Sequence, residues 1–263
     1  MDNAADLIRR ALAVNYANLG LNNEVFVADG ATFVRNTRFP DVYDSNHVAH
    51  ITASSPTEID RLFTRADREF AHTAHRSFQV DFTTPPALAA RLTLAGYEVS
   101  SDLVMLLEGD LIGQGTPFEI LPIVDDGAWR EFDRLHMENW LEYRTRDGLD
   151  EARETGDRMS VGKREKSPPL CWWLGYVDGT AAGYFSSWAG IDGVGQVEYL
   201  FVKREYRHKG LATALIHHCV ADARAHGAGP VVIVAGANDT PKHMYAAMGF
   251  RPVAVKQQYL LRS

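Results

Sequence analysis

One short order of elements occurs twice along the chain and narrows the fold more than any single residue does. Ser77-Phe78-Gln79-Val80-Asp81-Phe82 reads as a strand, Pro85-Pro86 opens a short helix, and Ala95-Gly96-Tyr97-Glu98 ends it before a second hydrophobic run. Val231-Val232-Ile233-Val234, then Thr240-Pro241, a helix and Met248-Gly249-Phe250-Arg251 repeat that order. In both copies the glycine suits the left-handed residue that closes a helix, with the aromatic side chain packed beneath it. A repeated strand, helix and strand unit predicts duplication, and 263 residues are enough for two small domains.

The rest of the periodicity fills in around this repeat. Asp6 to Leu19 carries apolar residues at helical spacing. Glu24–Ala28 and Thr32–Arg35 flank Asp29-Gly30, a hairpin signal. Ser55-Pro56-Thr57-Glu58 supplies an N-cap, a first-turn proline and a capping-box glutamate for a helix reaching toward His75. Leu103–Leu107 is a strand, and Gly109–Pro117 reads as a linker. Beyond it, Phe118–Ile123 is expected as a strand, Asp125–Trp140 as a helix and Gly148–Lys166 as a charged helical stretch. Leu170–Val177 and Thr180–Ala189 form a hairpin about Asp178-Gly179, followed by strand Gly195–Val202, helix Leu211–His226 and strand Pro230–Ala235. The sum is an α/β fold of two units, residues 1–110 and 117–263, each a mixed sheet flanked by helices.

Composition excludes several classes. A formal net charge of −7 without a Lys/Arg stripe argues against nucleic acid held through its phosphates, and favours a cationic or neutral substrate. No run is long enough to span a bilayer, and Arg9-Arg10 interrupts the apolar N-terminal pattern, so a cytoplasmic protein is expected. Cys171 and Cys219 read as reduced, buried side chains. His217 and His218 are adjacent on a helix and cannot share a face, so no metal site is expected.

The chemistry concentrates in Val197-Glu198-Tyr199-Leu200-Phe201-Val202, Lys203 to Tyr206, and Arg207-His208-Lys209-Gly210-Leu211-Ala212. A strand that turns into a helix start offers free backbone N–H groups and the positive end of a helix dipole. Gly210 and small Ala212 would let a pyrophosphate approach, and Arg207 and Lys209 add positive charge. Basic residues before a helix are usually just solvated, but Asn238, Tyr245 and Gly249-Phe250 follow at spacings that bring them to the same cleft.

With those residues in place, roughly Phe118 to Leu261 resembles the GNAT-type N-acetyltransferase superfamily. The resemblance implies that Arg207, His208, Lys209, Gly210, Leu211, Ala212 and Thr213 hold the pyrophosphate of acetyl-CoA. It implies that Leu200, Phe201 and Val202 pair with pantetheine, and that Asn238 contacts the cosubstrate. Two positions depart from the family pattern: His208 stands where glycine is usual, and Arg204 where proline often is. By the same resemblance Glu198 is expected as the base that deprotonates the acceptor ammonium, against the alternative of an edge carboxylate that pairs with a cation. Backbone N–H near Val202 would polarise the thioester carbonyl, and Tyr245 would protonate the leaving thiolate rather than serve only in the core. The activity implied is acetyl transfer from acetyl-CoA to a primary amine by direct attack in a ternary complex.

Trp140, Tyr143, Trp172, Trp173, Tyr184 and Trp188 are candidates for an acceptor pocket, although such residues are more often core. The expected acceptor is a small-molecule amine or a protein N-terminus, with neither nucleic acid nor membrane as partner and a homodimer among the assemblies allowed. The first half has no glycine between Gly30 and Gly96, and Pro56 removes an amide donor, so it reads as a degenerate GNAT-like domain that binds no CoA. Its polar cluster of Arg35, Arg38, Asp41, Tyr43, Asp44 and Asn46 fits a solvated loop better than a substrate contact. The alternatives are a non-catalytic CoA-binding regulatory module and, less well supported, a nucleotide-binding domain, which lacks its Walker-type residues.

Overall fold

The computed structural model describes residues 4–115, 117–147 and 153–262. In chain order the elements are α1 (Ala4–Gly20), β1 (Glu24–Ala28), β2 (Ala31–Arg35), β3 (His47–Ala49), α2 (Pro56–Glu69), β4 (His75–Val80), α3 (Pro86–Leu94), β5 (Glu98–Leu107) and β6 (Glu119–Pro122). There follow α4 (Asp126–Asp147), α5 (Arg153–Glu165), β7 (Cys171–Val177), β8 (Thr180–Ile191), β9 (Val194–Val202), α6 (Leu211–Ala225), β10 (Val231–Gly236), α7 (Pro241–Ala247) and β11 (Arg251–Arg262). The start of the expected Gly148–Lys166 helix lies outside the described residues.

The chain forms two compact units. One comprises Met1–Met105, Val234–His243 and Pro252–Ser263; the other comprises Leu106–Ile233 and Met244–Arg251. In the first, the strand order is β1-β2-β3-β4-β11-β5, so the last strand of the chain lies between β4 and β5. Asp29 and Gly30 both take positive φ, 46° and 73°, closing the β1–β2 hairpin in the way the Asp-Gly pair requires. Phe33, Phe70, Phe78, Leu62, Leu88 and Tyr259 form the core beneath α2 and α3. At about 1.5–3 kcal/mol for each large apolar side chain removed from water, this cluster is the main term holding the unit.

Several boundaries differ from the sequence reading. Helix α2 stops at Glu69, and β4 begins at His75 and ends at Val80. Asp81 turns the chain there, its Oδ1 accepting the backbone N–H of Thr83 at 2.7 Å and the Thr83 hydroxyl at 2.6 Å, which ends the strand before Phe82. Strand β3 was not anticipated: it is three residues long and buried throughout, too short to show a period.

In the second unit the order is β10-β9-β8-β7-β6. Strand β8 is buried on both faces from Ala181 to Trp188, because α4 covers one face and α6 the other. Asn139 of α4 donates to the Tyr184 hydroxyl at 3.1 Å, and the Ser187 hydroxyl donates to Asp222 of α6. The two repeat copies end alike. Tyr97 N–H donates to Leu92 O at 3.2 Å and Phe250 N–H to Tyr245 O at 3.1 Å, each across a glycine of positive φ, which is the six-to-one bond of a Schellman cap.

Candidate functional site

Strand β9 carries the site because it does not pair evenly. Against β8, Ser186 faces Glu198 and Tyr184 faces Phe201, so Phe185 stands opposite both Tyr199 and Leu200. This is a β-bulge, and Tyr199 sits in it at φ 70°, a conformation costly for a side chain of that size. Two sets of contacts offset the cost. The Tyr199 ring stacks on Trp172 at 5.5 Å, and its hydroxyl accepts a hydrogen bond from Lys166 Nζ at 2.9 Å. Ser186 Oγ donates to the Glu198 carbonyl at 2.8 Å, pinning the strand immediately before the bulge. Against β10, the pairing runs only through Gly195–Val231 and Gln196–Val232. From Val197 to Val202, β9 therefore presents a main-chain edge unpaired by the β10 residues of its unit.

That edge leads straight into an anion-binding turn. Lys203 N–H donates to Ala182 O at 2.9 Å, keeping the strand end fixed, and a short 3-10 turn at Arg204–Tyr206 follows. His208 then takes φ 61° and Gly210 φ 93°. Gly210 is the N-cap of α6, in the left-handed region where glycine alone pays no Cβ penalty. The first helical bond runs from Ala214 N–H to Gly210 O, so the amides of Leu211, Ala212 and Thr213 lie ahead of the helical ladder and point out of the helix end. Leu211, Leu215 and Ile216 are buried under the sheet and hold that end in place.

The charged side chains of the turn are arranged differently from the sequence reading. The Arg207 guanidinium does not point outward alone. Its Nε donates to Val202 O at 2.9 Å, and both terminal nitrogens meet the Glu142 carboxylate at 2.7 Å. Lys209 lies over the Tyr206 ring at 5.3 Å. The amides of the turn therefore make its anion site, while Arg207 ties the loop to α4.

Glu198 is half-buried on β9, one residue before the bulge, and Gln196 Nε2 donates to its Oε2 at 3.0 Å. Two carboxylates of α4 are held in ion pairs: Glu142 by Arg207, and Glu138 by Arg134 at 2.7 Å and Lys203 at 3.5 Å. Tyr245 is buried on α7 in the same unit, edge-on to Phe250 at 6.2 Å. Asn238 lies in the exposed turn after β10, in the segment that belongs to the first unit. Trp140, Trp172, Tyr184 and Trp188 are core residues, whereas Tyr143 is exposed. Trp173 is half-buried and packs on His218 at 4.1 Å.

A polar group that sequence reasoning did not single out adjoins Tyr199. Lys163 Nζ and Lys166 Nζ lie 5.0 and 5.3 Å from the Tyr199 ring centre. Lys163 also approaches His136 Nδ1 at 3.3 Å. Burial, with Lys163 adding to it, drives the His136 pKa down to about 2, so that ring is neutral. Lys163 at the end of α5 and Lys166 just after it, three residues apart ahead of the hairpin, were the available signal.

In the first unit the corresponding helix start is closed by its own side chains. Glu58 accepts from the backbone N–H groups of Ser54 and Ser55, Ser55 Oγ accepts from Glu58 N–H, and Pro56 has no N–H to offer. These backbone hydrogen bonds hold the Glu58 carboxyl down at about 2. A carboxylate already sits where an outside anion would bind. The polar cluster is likewise structural: Asn46 is buried, donating to Phe39 O at 2.7 Å and accepting from Asn36 N–H at 3.0 Å.

Residues 129–250 match the profile of the acetyltransferase (GNAT) family. No curated protein matches the chain. Among solved structures, the chain is similar to a functionally unknown conserved protein from Staphylococcus epidermidis ATCC 12228, with TM-score 0.71, 14% identity and coverage of 92% of this chain and 95% of that one. It is similar to a GCN5-related N-acetyltransferase from Kribbella flavida, with TM-score 0.68, 17% identity and coverage of 95% and 94%. A tandem GNAT protein from the clavulanic acid biosynthesis pathway aligns with TM-score 0.59, 16% identity and coverage of 82% and 75%. At these identities the likeness is one of fold, and it extends to a tandem arrangement.

Proposed function

Residues 129–250 form an acetyltransferase domain of the GNAT family, and from that premise we propose that the protein transfers an acetyl group from acetyl-CoA to a primary amine by direct attack in a ternary complex. The observation that carries this reading is the continuity of β9 with α6. A strand edge at Val197–Val202, left unpaired by the described β10 residues of its unit, leads, through left-handed Gly210, to the outward amides of Leu211, Ala212 and Thr213. An extended amide-bearing arm pairs with such an edge, and a pyrophosphate accepts from such amides. Leu200, Phe201 and Val202 would take the arm, and the turn from Arg207 to Thr213 the pyrophosphate. Acetyl-CoA supplies the activated carbonyl.

Glu198 is proposed to take the ammonium proton of the acceptor, directly or through water, from its half-buried place on β9 one residue before the bulge. Backbone N–H at the end of β9 is proposed to stabilise charge on the carbonyl oxygen, and Tyr245 to return a proton to sulfur. Direct transfer also fits the thiols. Cys171 is exposed at the start of β7, not buried as expected from the sequence, although partial desolvation and then Asp222 still raise its pKa; Cys219 is buried and its pKa is raised too, so both are poor nucleophiles for an acyl-enzyme route.

The test is calorimetric titration with acetyl-CoA, followed by thiol release across a panel of amines. Binding that is lost in Gly210→Asp, together with intersecting initial-velocity lines, supports the proposal. Absence of any heat of binding would overturn it. Binding without turnover on any amine would instead favour the regulatory CoA-binding module.

A further inference from the structure

A separate cavity of about 570 Å³ lies wholly within the first unit, lined among others by Ile8, Asp81, Phe82, Val253, Val255 and Gln257. Its size falls in the range of roughly 300–1,000 Å³ typical of small-molecule sites. Apolar surface dominates its walls: Phe82 is 59% exposed and Val255 50% exposed, unusual for large side chains flanking a central strand. The cavity exists because β4 turns away at Asp81. Pairing between β4 and β11 ends at Val80–Gln257, so Val253–Val255 have no β4 partner.

Asp81 is the chemical feature of this cavity. It is only 8% exposed. Its Oδ1 accepts two hydrogen bonds from Thr83, and its Oδ2 accepts one, from the Tyr16 hydroxyl at 2.8 Å. Three of the four acceptor positions of the carboxylate are filled, and the open one is on Oδ2. Among the described residues no lysine or arginine pairs with Asp81, and the imidazole that interacts with it, His50, is pushed toward its neutral form by burial even though Asp81 opposes this. The nearby ammonium of Lys256 is committed elsewhere, to Asn15 Oδ1 at 3.0 Å and Asp102 at 3.9 Å. A carboxylate removed from water is costly unless a cation joins it. Asp81 is part of the lining of the apolar cavity, so a cation bound there can reach it.

We propose that the first unit binds a compact hydrophobic primary amine, its ammonium donating to Asp81 Oδ2 and its apolar body lying against Phe82, Val253 and Val255. An N–H donor is required, because the open position is a lone pair aimed at a hydrogen, so a protonated amine fits and a quaternary ammonium does not. The site needs no acetyl-CoA, and it gives the first unit a ligand of its own.

The experiment is calorimetry on the full chain, without acetyl-CoA, using 2-phenylethylamine, uncharged 2-phenylethanol and phenyltrimethylammonium as probes. The amine should bind at least about tenfold more tightly than either of the others. Asp81→Asn, which keeps the Oδ1 acceptor for Thr83 and turns an amide N–H toward Tyr16, whose hydroxyl can accept it, should reduce the amine to the level of the alcohol. Val255→Lys places a cation at a half-exposed position that leaves the core untouched, and it should abolish amine binding even if Asp81→Asn proves unstable. The proposal is overturned if the amine does not bind, if the alcohol binds equally well, or if binding survives both substitutions. It is also overturned if binding is lost in Glu198→Gln but kept in Asp81→Asn.

Discussion

Glu198 and Tyr245 separate experimentally because they act on different protons. With Glu198→Gln, turnover should fall by about 10² or more near pH 7 and recover as the pH approaches an amine pKa near ~10, where free amine no longer needs a base. Tyr245→Phe should lower turnover across that range and leave acetyl-CoA affinity nearly unchanged. A pH–rate profile of Glu198→Gln parallel to the unaltered protein would remove the base assignment. His208 makes a different point. Its φ of 61° lies in the left-handed region that favours glycine, where a side chain costs roughly 1 kcal/mol. His208→Gly should raise stability by about 0.5 kcal/mol, after the entropy glycine adds to the unfolded chain, and thermal melting should show a rise of about 1–2 °C. His136 sets an acid limit. Its pKa is about 2 in the fold and near 6.5 in the unfolded chain, so the unfolded state takes up the proton first. The stability held by neutral His136 is complete above pH 6.5 and is lost as the pH falls toward 2, at up to about 1.4 kcal/mol per unit. Denaturant melts between pH 7 and 5 should show this slope, reduced in His136→Gln.

At the scale of elements, the bulge of β9 depends on how closely β8 can approach it. A Cβ built on Gly183 would lie 2.5 Å from the carbonyl oxygen of Phe201 and 3.1 Å from Val202 Cγ2. The obstacle is main chain, which cannot swing aside as a side-chain tip can. Gly183→Ala should therefore push β8 and β9 apart at the residues proposed to pair with pantetheine. The expected cost is about 1–3 kcal/mol in stability, with acetyl-CoA affinity down about tenfold. Unchanged affinity in a folded Gly183→Ala protein would show that the β9 edge is not the binding element. Helix α2 gives the converse case. Its capping box takes the Glu58 amide, Pro56 has none to offer, and the Glu58 carboxylate fills the space ahead of the helix, so two similar strand-to-helix junctions differ in chemistry through Ser55, Pro56 and Glu58.

For the whole molecule that difference predicts a stoichiometry. Titration should find one acetyl-CoA per chain, and a value of two would refute the closed helix start of the first unit. The sequence by itself determined the α/β class, the duplicated strand, helix and Gly-aromatic unit, the Asp29-Gly30 hairpin, the Ser55 capping box and the glycine at the start of α6. Each is a local matter: a period, a turn residue or a cap fixes it within a few neighbours, so single-chain pattern suffices. Among the site residues, Gly210 and the amides after it were legible for the same reason. The positive φ of Tyr199, the Lys163 and Lys166 approach to its ring and the Arg207–Glu142 pair were not. They join residues from different elements, and a bulge is a count of residues in one strand against its neighbour, which no strand carries alone. The same holds for β11. Its alternation marks it as a strand, but only the tertiary structure places Pro252–Ser263 in the first unit, between β4 and β5. Strand partners are chosen by burial over the entire sheet, a non-local quantity, and the cavity beside Asp81 exists only because β11 outruns β4 there.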